Sequence, residues 1–212
     1  MCGIVGYFGY QNAILILEEG LKKLTYRGYD SWGFSFKDNG KIKVIKDVGD
    51  FEKINFRNRE NSNIGISHTR WATTGRVSKE NAHPHLGCDG KIAVVHNGII
   101  ENFQQLKKEL IEKGHQFKSE TDTEVVCHLI EEYVKENEFP EAVRKCFLRL
   151  NGRNAIVVMH EDFNGLVGVK NGSPLLVGIG ENEYFIASDV RAFIDKTKKV
   201  IYLDDNNLVV LS

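Results

Sequence analysis

An α+β fold is what this sequence predicts, on three observations: many short strand-like segments, helical periodicity gathered into a few blocks, and glycine-bearing turn signals between neighbouring strands. Strict strand and helix alternation would instead point to a doubly wound parallel sheet, whereas close turns favour antiparallel neighbours.

Taken in chain order, residues 4–8 open with an apolar run of strand character. Ile14, Leu17, Leu21 and Leu24 then share one face of a helix, with Asn12 placed to cap it. Strand patterns follow at 33–37 and 42–45, with Asp38-Asn39-Gly40 between them as a hairpin turn, and again at 64–67 and 92–95. Residues 103–113 carry the helical period and stop at Gly114 in C-cap fashion. Thr121-Asp122-Thr123-Glu124 reads as a capping box opening a helix that buries Val125, Leu129, Ile130 and Tyr133. Pro140 suits the first turn of a further helix ending near Gly152. The remainder returns to strands, at 155–159, 166–169, 175–177, 184–187, 201–203 and 208–211, with Asn171-Gly172 as a second turn signal.

The chain has 212 residues, 42% of them hydrophobic, which is enough to bury a full core within one domain spanning 1–212. Lys plus Arg at 28 against Asp plus Glu at 29 leaves a net charge of -1, so neither nucleic acid nor a membrane surface is an expected partner. No segment is apolar for the roughly 20 residues a membrane span needs, and a cytoplasmic location is the expectation. Cys2, Cys88, Cys127 and Cys146 form no CxxC pair and read as free thiols.

Cys2 becomes the mature N-terminus if Met1 is removed, which would put a thiol and a free α-amine on one residue. An α-amine has a reference pKa of about 8, so it can act as a base near neutral pH, and a thiolate can attack an amide carbonyl to give an acyl-enzyme. By itself such a cysteine reads as readily as a buried residue of the first strand. Tyr26-Arg27-Gly28-Tyr29-Asp30-Ser31 follows the first helix, and Arg27 with Asp30 reads as a surface ion pair in a turn. His68-Thr69-Arg70-Trp71-Ala72-Thr73-Thr74-Gly75 runs from a strand end into a polar loop, suiting either a carboxylate clamp under an aromatic lid or a surface cation-π contact. Asn97-Gly98 closes an apolar strand, as a turn or as two donors aimed at an oxyanion. Asp122 lies in the capping segment and can also face a bound ammonium group.

Together these segments, with Asn81-Ala82-His83-Pro84-His85 and Gly172-Ser173-Pro174-Leu175, resemble in order and spacing the glutaminase domain of the glutamine:fructose-6-phosphate aminotransferase family, across nearly the whole chain. The resemblance implies a four-layer αββα sandwich of the N-terminal-nucleophile kind with two mostly antiparallel sheets. It implies Cys2 as nucleophile and Asn97 with the backbone of Gly98 as oxyanion hole. Arg70 would hold the α-carboxylate of L-glutamine and Asp122 its α-ammonium. Thr73 and Thr74 would be further substrate contacts, with Trp71 opening a mobile loop that runs to Ser78. The reaction implied is glutamine plus water giving glutamate and ammonia, with the ammonia passed to a sugar-isomerase domain or subunit for aminosugar synthesis and with no cofactor. A homodimer is implied for the full-length enzyme. The sugar-isomerase domains are absent from these residues, so the expectation is either a piece of a longer enzyme or a free-standing ammonia-delivering subunit.

Two positions depart from the family pattern: Thr74 stands where a histidine is usual, which bears on a glutamine contact, and Trp32 replaces a small residue, which demands repacking. The competing readings are a degenerate glutamine-binding module, the purine-pathway amidophosphoribosyltransferase branch, and a peptide-cleaving amide hydrolase. His83, His85 and Cys88 have a spacing that could suit zinc, but no fourth ligand is near in sequence and the resemblance uses these histidines without metal, so no metal is expected.

Overall fold

The computed structural model describes residues 2–50 and 61–212; Met1, whose removal the sequence reading invokes, lies outside the described residues. The elements in chain order are β1 (Gly3–Phe8), α1 (Ala13–Lys22), β2 (Ser31–Asp38), β3 (Lys41–Val48), β4 (Ile64–Arg70), β5 (His85–Leu86), β6 (Ile92–Gly98), α2 (Phe103–Glu112), α3 (Glu124–Tyr133), α4 (Phe139–Phe147), β7 (Asn154–His160), β8 (Leu166–Asn171), β9 (Leu176–Ile179), β10 (Tyr184–Ala187), β11 (Val200–Tyr202) and β12 (Leu208–Leu211). Every strand expected from the sequence is present, and the two-residue β5 is an addition too short to carry a period.

Two sheets result. The first has seven strands in the order β11-β9-β10-β1-β4-β2-β3, and the second five in the order β12-β8-β7-β6-β5. Every strand pair in them is antiparallel. Alternation along the strands explains the layering. On β1, Ile4 enters a core with Ile66, Val95, Val157 and Ile186 from both sheets, while Val5 and Tyr7 face α1 with Leu17 and Leu21. On β6, Val95 joins the same inner core and Val94 faces Val126, Ile130 and Val143 of α3 and α4. A strand buried on both faces reads as a continuous apolar run, which is why β1 and β6 showed no polar alternation. Three apolar layers separate α1, the two sheets and α2 to α4, giving the four-layer αββα arrangement.

Local chemistry accounts for most boundaries. Asn12 caps α1 by accepting from the Ile14 N–H at 3.1 Å. Asn39 and Gly40 take φ of 48° and 79°, the values a two-residue hairpin between β2 and β3 requires.

Three expectations are corrected and one open alternative is decided. Gly172 does turn the chain, at φ 75°, but β8 and β9 belong to different sheets, so the turn is a crossing between layers and not a hairpin. The capping box does not form: Glu124 accepts from the N–H groups of Lys118 and Ser119 instead, at 2.8 and 2.7 Å, tying down the loop before α3. The helix containing Pro140 stops at Phe147 and not near Gly152. Asn97 and Gly98 end β6 paired with Ala155 and Asn154, so they are strand residues and not a turn.

Candidate active site

β1 and β4 pair with Gly3 opposite Thr69, so the residue before β1 meets the end of β4. That register brings Cys2 beside Arg70 and Trp71. The Trp71 N–H donates to the Cys2 sulfur at 3.3 Å, and the thiol reaches the Trp71 carbonyl at 3.6 Å. β6 of the other sheet ends at the same place, where the side-chain amide of Asn97 donates to the Cys2 carbonyl at 3.0 Å. Arg27 Nε donates to that carbonyl too, at 3.1 Å, while its Nη1 reaches Asp189 at 3.2 Å. Two segments remote in sequence thus fix the main chain that carries the thiol.

Arg27 corrects the sequence reading. It is buried, and its acidic partner is Asp189, while Asp30 accepts the Ala72 N–H at the base of the loop after β4. A partner 162 positions away leaves no local signal.

The orientation of Asn97 is itself determined. His68 Nε2 lies 3.0 Å from the His96 carbonyl and 3.1 Å from Asn97 Oδ1. Two acceptors require Nε2 to carry the proton, so the Asn97 oxygen faces His68 and its NH₂ faces Cys2. Burial drives the His68 pKa down to about 3, so the ring is a neutral donor at physiological pH. Burial also holds His83 and His96 below the usual histidine range. His96 and His83 both reach the Thr123 hydroxyl, at 2.8 and 2.9 Å, and His85 reaches that of Thr121 at 3.0 Å. The grouping of His83 and His85 with Cys88 therefore does not assemble; these histidines belong to a polar layer under the site.

Arg70 is 3% exposed, and its guanidinium donates to the carbonyls of Thr74, Gly75 and Arg76. It holds the loop after β4 closed. The departure at Thr74 thus bears on a residue whose backbone oxygen makes the contact, a group any side chain leaves available. Trp71 is half exposed and meets Tyr29 edge-on at 5.7 Å, so the aromatic partner of Trp71 is a tyrosine and not the arginine cation. Trp32 is accommodated in the α1 core, edge-on to Phe34 at 5.9 Å. Asp122 is buried and accepts the Ile100 N–H at 2.7 Å, which docks the start of α3 onto the chain after β6.

The surface opens into a cleft of about 450 Å³ lined by Cys2, Trp71, Thr73, Asn97 and Gly98, with Arg27, Glu101 and Arg153 among its charged walls. Behind Cys2 lies a recess of about 20 Å³ bounded by Arg70, Thr73, Thr74, Gly98 and Asp122. Every site residue expected from the sequence lines one or the other. A larger cleft of about 630 Å³, with Lys46 and Glu124 in its walls, contains no cysteine. Burial pushes the Cys2 thiol above its ordinary range, with the Trp71 N–H opposing that shift, so attack on an amide requires a base.

Comparison with known proteins agrees with this geometry. The model of the glutamine amidotransferase domain family matches residues 68–195. Two relatives named glutamine--fructose-6-phosphate aminotransferase [isomerizing], from Pyrococcus horikoshii and Thermococcus kodakarensis, are 49% and 50% identical, each over 100% of this chain and 36% of the relative. A third of that name, from Thermus thermophilus, is 46% identical over 100% of this chain and 35% of its own length. The chain therefore spans about a third of the length of the curated relatives it matches. Among solved structures, the glutamine phosphoribosylpyrophosphate amidotransferase of B. subtilis, complexed with ADP and GMP, superimposes with a TM-score of 0.81 at 25% identity, covering 99% of this chain and 48% of that one. A structure described as the allosteric regulatory enzyme of purine biosynthesis gives a TM-score of 0.82 at 26% identity with the same coverage. A thiol at the mouth of a two-sheet sandwich, an asparagine amide turned toward it, and a family match over more than half the residues converge: the chain belongs to the glutamine amidotransferase domain family.

Proposed function

We propose that this domain hydrolyses the side-chain amide of L-glutamine through Cys2 and supplies the ammonia for aminosugar synthesis from fructose-6-phosphate. The observation that carries the reading is that Cys2 lines two hollows, one shared with Asn97 and Gly98 and the other with Gly98, Arg70 and Asp122. With Met1 removed, the α-amine of Cys2 takes the thiol proton and the thiolate attacks the carboxamide carbon. An amide NH₂ has two donors. One of Asn97's holds the Cys2 carbonyl, and the second, with the Gly98 N–H, meets the developing oxyanion. The protonated amine returns its proton to the leaving nitrogen, ammonia departs, and water cleaves the thioester to glutamate.

Free glutamine differs from a glutamine residue in a protein by its two terminal charges, and Arg70 and Asp122 are a cation and an anion suited to them. The recess they border has room for about one water. Substrate entry therefore requires the loop from Trp71 to Ser78 to move, and a glutamine carboxylate that replaces the loop carbonyls on Arg70 couples binding to that movement.

Identity of 45–50% to aminotransferases over the whole chain supports the hexose-phosphate branch, whereas the likeness to purine amidotransferases rests on shape at 25–26% identity. Further domains in one longer chain, as in the relatives, or a separate sugar-isomerase subunit would receive the ammonia. The test is glutamate release from glutamine, with intact mass recorded before and after a glutamine-like electrophile. The expected result is turnover and one adduct on Cys2 with Met1 absent; full activity with Met1 retained would exclude the α-amine as base.

A further inference from the structure

Apart from the Cys2 cleft, three segments remote in sequence bring four donor atoms together: the turn between β5 and β6, the chain just after α2, and α3. The Cys88 sulfur lies 3.5 Å from His128 Nδ1 and 3.6 Å from His115 Nδ1. Glu131 Oε2 lies 2.8 Å from His128 Nδ1 and 3.2 Å from His115 Nδ1. All four atoms fall within 4.8 Å of one another. The Asp89 N–H donates to the other carboxylate oxygen of Glu131, at 3.2 Å, which leaves Oε2 aimed into the cluster.

His115 Nε2 lies 3.1 Å from Glu132, and His128 Nε2 lies 3.7 Å from Glu124, so each imidazole has a carboxylate on the side facing away from the cluster. A neutral ring with its proton on Nε2 has a lone pair on Nδ1. Two imidazole nitrogens, a carboxylate oxygen and a thiol sulfur face one another here, and His128 is 1% exposed. Such an arrangement can exchange its protons for a metal cation. Tetrahedral zinc, at about 2.3 Å from sulfur and about 2.0 Å from nitrogen or oxygen, sets sulfur and nitrogen about 3.5 Å apart and nitrogen and oxygen about 3.3 Å apart. Cys88 to each histidine and His115 to Glu131 follow that pattern, His128 and Glu131 are drawn closer, and the widest separation in the cluster, up to 4.8 Å, has to shorten around an ion. A carboxylate on the far nitrogen of each histidine is the arrangement that orients imidazole ligands on a metal.

We propose that Cys88, His115, His128 and Glu131 form a binding site for a structural zinc ion. One thiolate, two imidazoles and a carboxylate close the tetrahedron with no open position, which fits a structural rather than a catalytic metal. The ion would tie the β5–β6 turn and the end of α2 to α3, the helix that starts directly after Asp122 and Thr123. The HxHxxC motif thus contributes its cysteine to a metal whose other ligands come from elsewhere, while its two histidines serve the polar layer beneath Cys2.

Zinc in the purified chain, measured by elemental mass spectrometry after preparation without chelator, is expected at roughly one per chain. Cys88→Ser and His115→Gln, both at the solvent side of the cluster, are expected to retain less than about a fifth of that while staying folded. Independently of those variants, wild-type protein exchanged into cobalt should show a near-ultraviolet thiolate charge-transfer band and the visible bands of a tetrahedral ion. Chelator should lower Tm and expose Cys88 to alkylation, both reversed by zinc. Wild-type protein that takes up neither zinc nor cobalt, or zinc retained in full by Cys88→Ser, would overturn the site.

Discussion

His68 shows how one buried side chain sets the orientation of another. Its Nε2 proton fixes which end of the Asn97 amide faces Cys2, so the two residues should fail in related ways. If Asn97 has its proposed role, Asn97→Ala is expected to lower kcat by about 10²–10³, the usual effect of losing one oxyanion donor. His68→Leu should lower kcat by less and leave KM nearly unchanged, because it frees the amide to rotate without removing its donors. A KM rise with intact kcat would instead place His68 on the binding side. Thr74 presents the opposite case. Its backbone carbonyl meets Arg70, so Thr74→Ala should leave KM within about twofold, in line with substitutions outside packed or charged features. Arg70→Ala, which removes the loop clamp together with the cation proposed to meet the α-carboxylate, should raise KM strongly; steady-state kinetics on glutamine distinguish the two variants.

At the scale of elements, the site depends on strand ends that stop in the same place. β1 begins, and β4 and β6 end, at one edge of the sandwich, and the close approach of β6 to β7 there demands a glycine. Gly98 has φ 138°, and a Cβ on it would stand 2.1 Å from the Arg153 carbonyl. Gly98→Ala is therefore expected to destabilise the fold by about 1–3 kcal/mol or more through strain, and to abolish glutamate release by displacing the backbone N–H. An unchanged Tm with normal turnover would show that the strand end adapts. The Asn12 cap of α1 is a simpler local device, and Asn12→Ala should cost about 1 kcal/mol in a denaturant titration without affecting KM.

The buried histidine layer beneath Cys2 contributes a pH dependence to the stability of the whole molecule. His68, His83 and His96 are held neutral in the folded state by burial, His68 down to about 3. In the unfolded chain each binds a proton near pH 6.5. Below that value the unfolded state holds more protons than the folded one. Their contribution is complete above about pH 6.5 and is lost progressively as the pH falls toward the folded-state values. Each histidine contributes up to about 1.4 kcal/mol per pH unit within that window. The urea midpoint should drop clearly between pH 7 and pH 5.5, before most carboxylates titrate; equal midpoints at the two values would mean that the layer is not kept neutral. Among the described residues no helix is long and apolar enough to cross a membrane.

What the sequence determined by itself is local and periodic. Strands, hairpin glycines and the Asn12 cap depend on neighbours within a few positions, and each site residue sits in a motif whose order alone carries the family resemblance. Tertiary structure decided the pairings across long separations: Arg27 with Asp189 and with the Cys2 carbonyl, His68 with Asn97, and Glu124 with the loop before its helix in place of a capping box. It also decided that Gly172 carries the chain between sheets, and that Cys88 meets His115 and His128 and not the histidines of its own motif. The reason is physical. Periodicity records which face of an element is apolar, but a polar contact between elements is fixed only when the sandwich stacks, and the stacking selects partners by register and depth, which leave no trace in spacing along the chain.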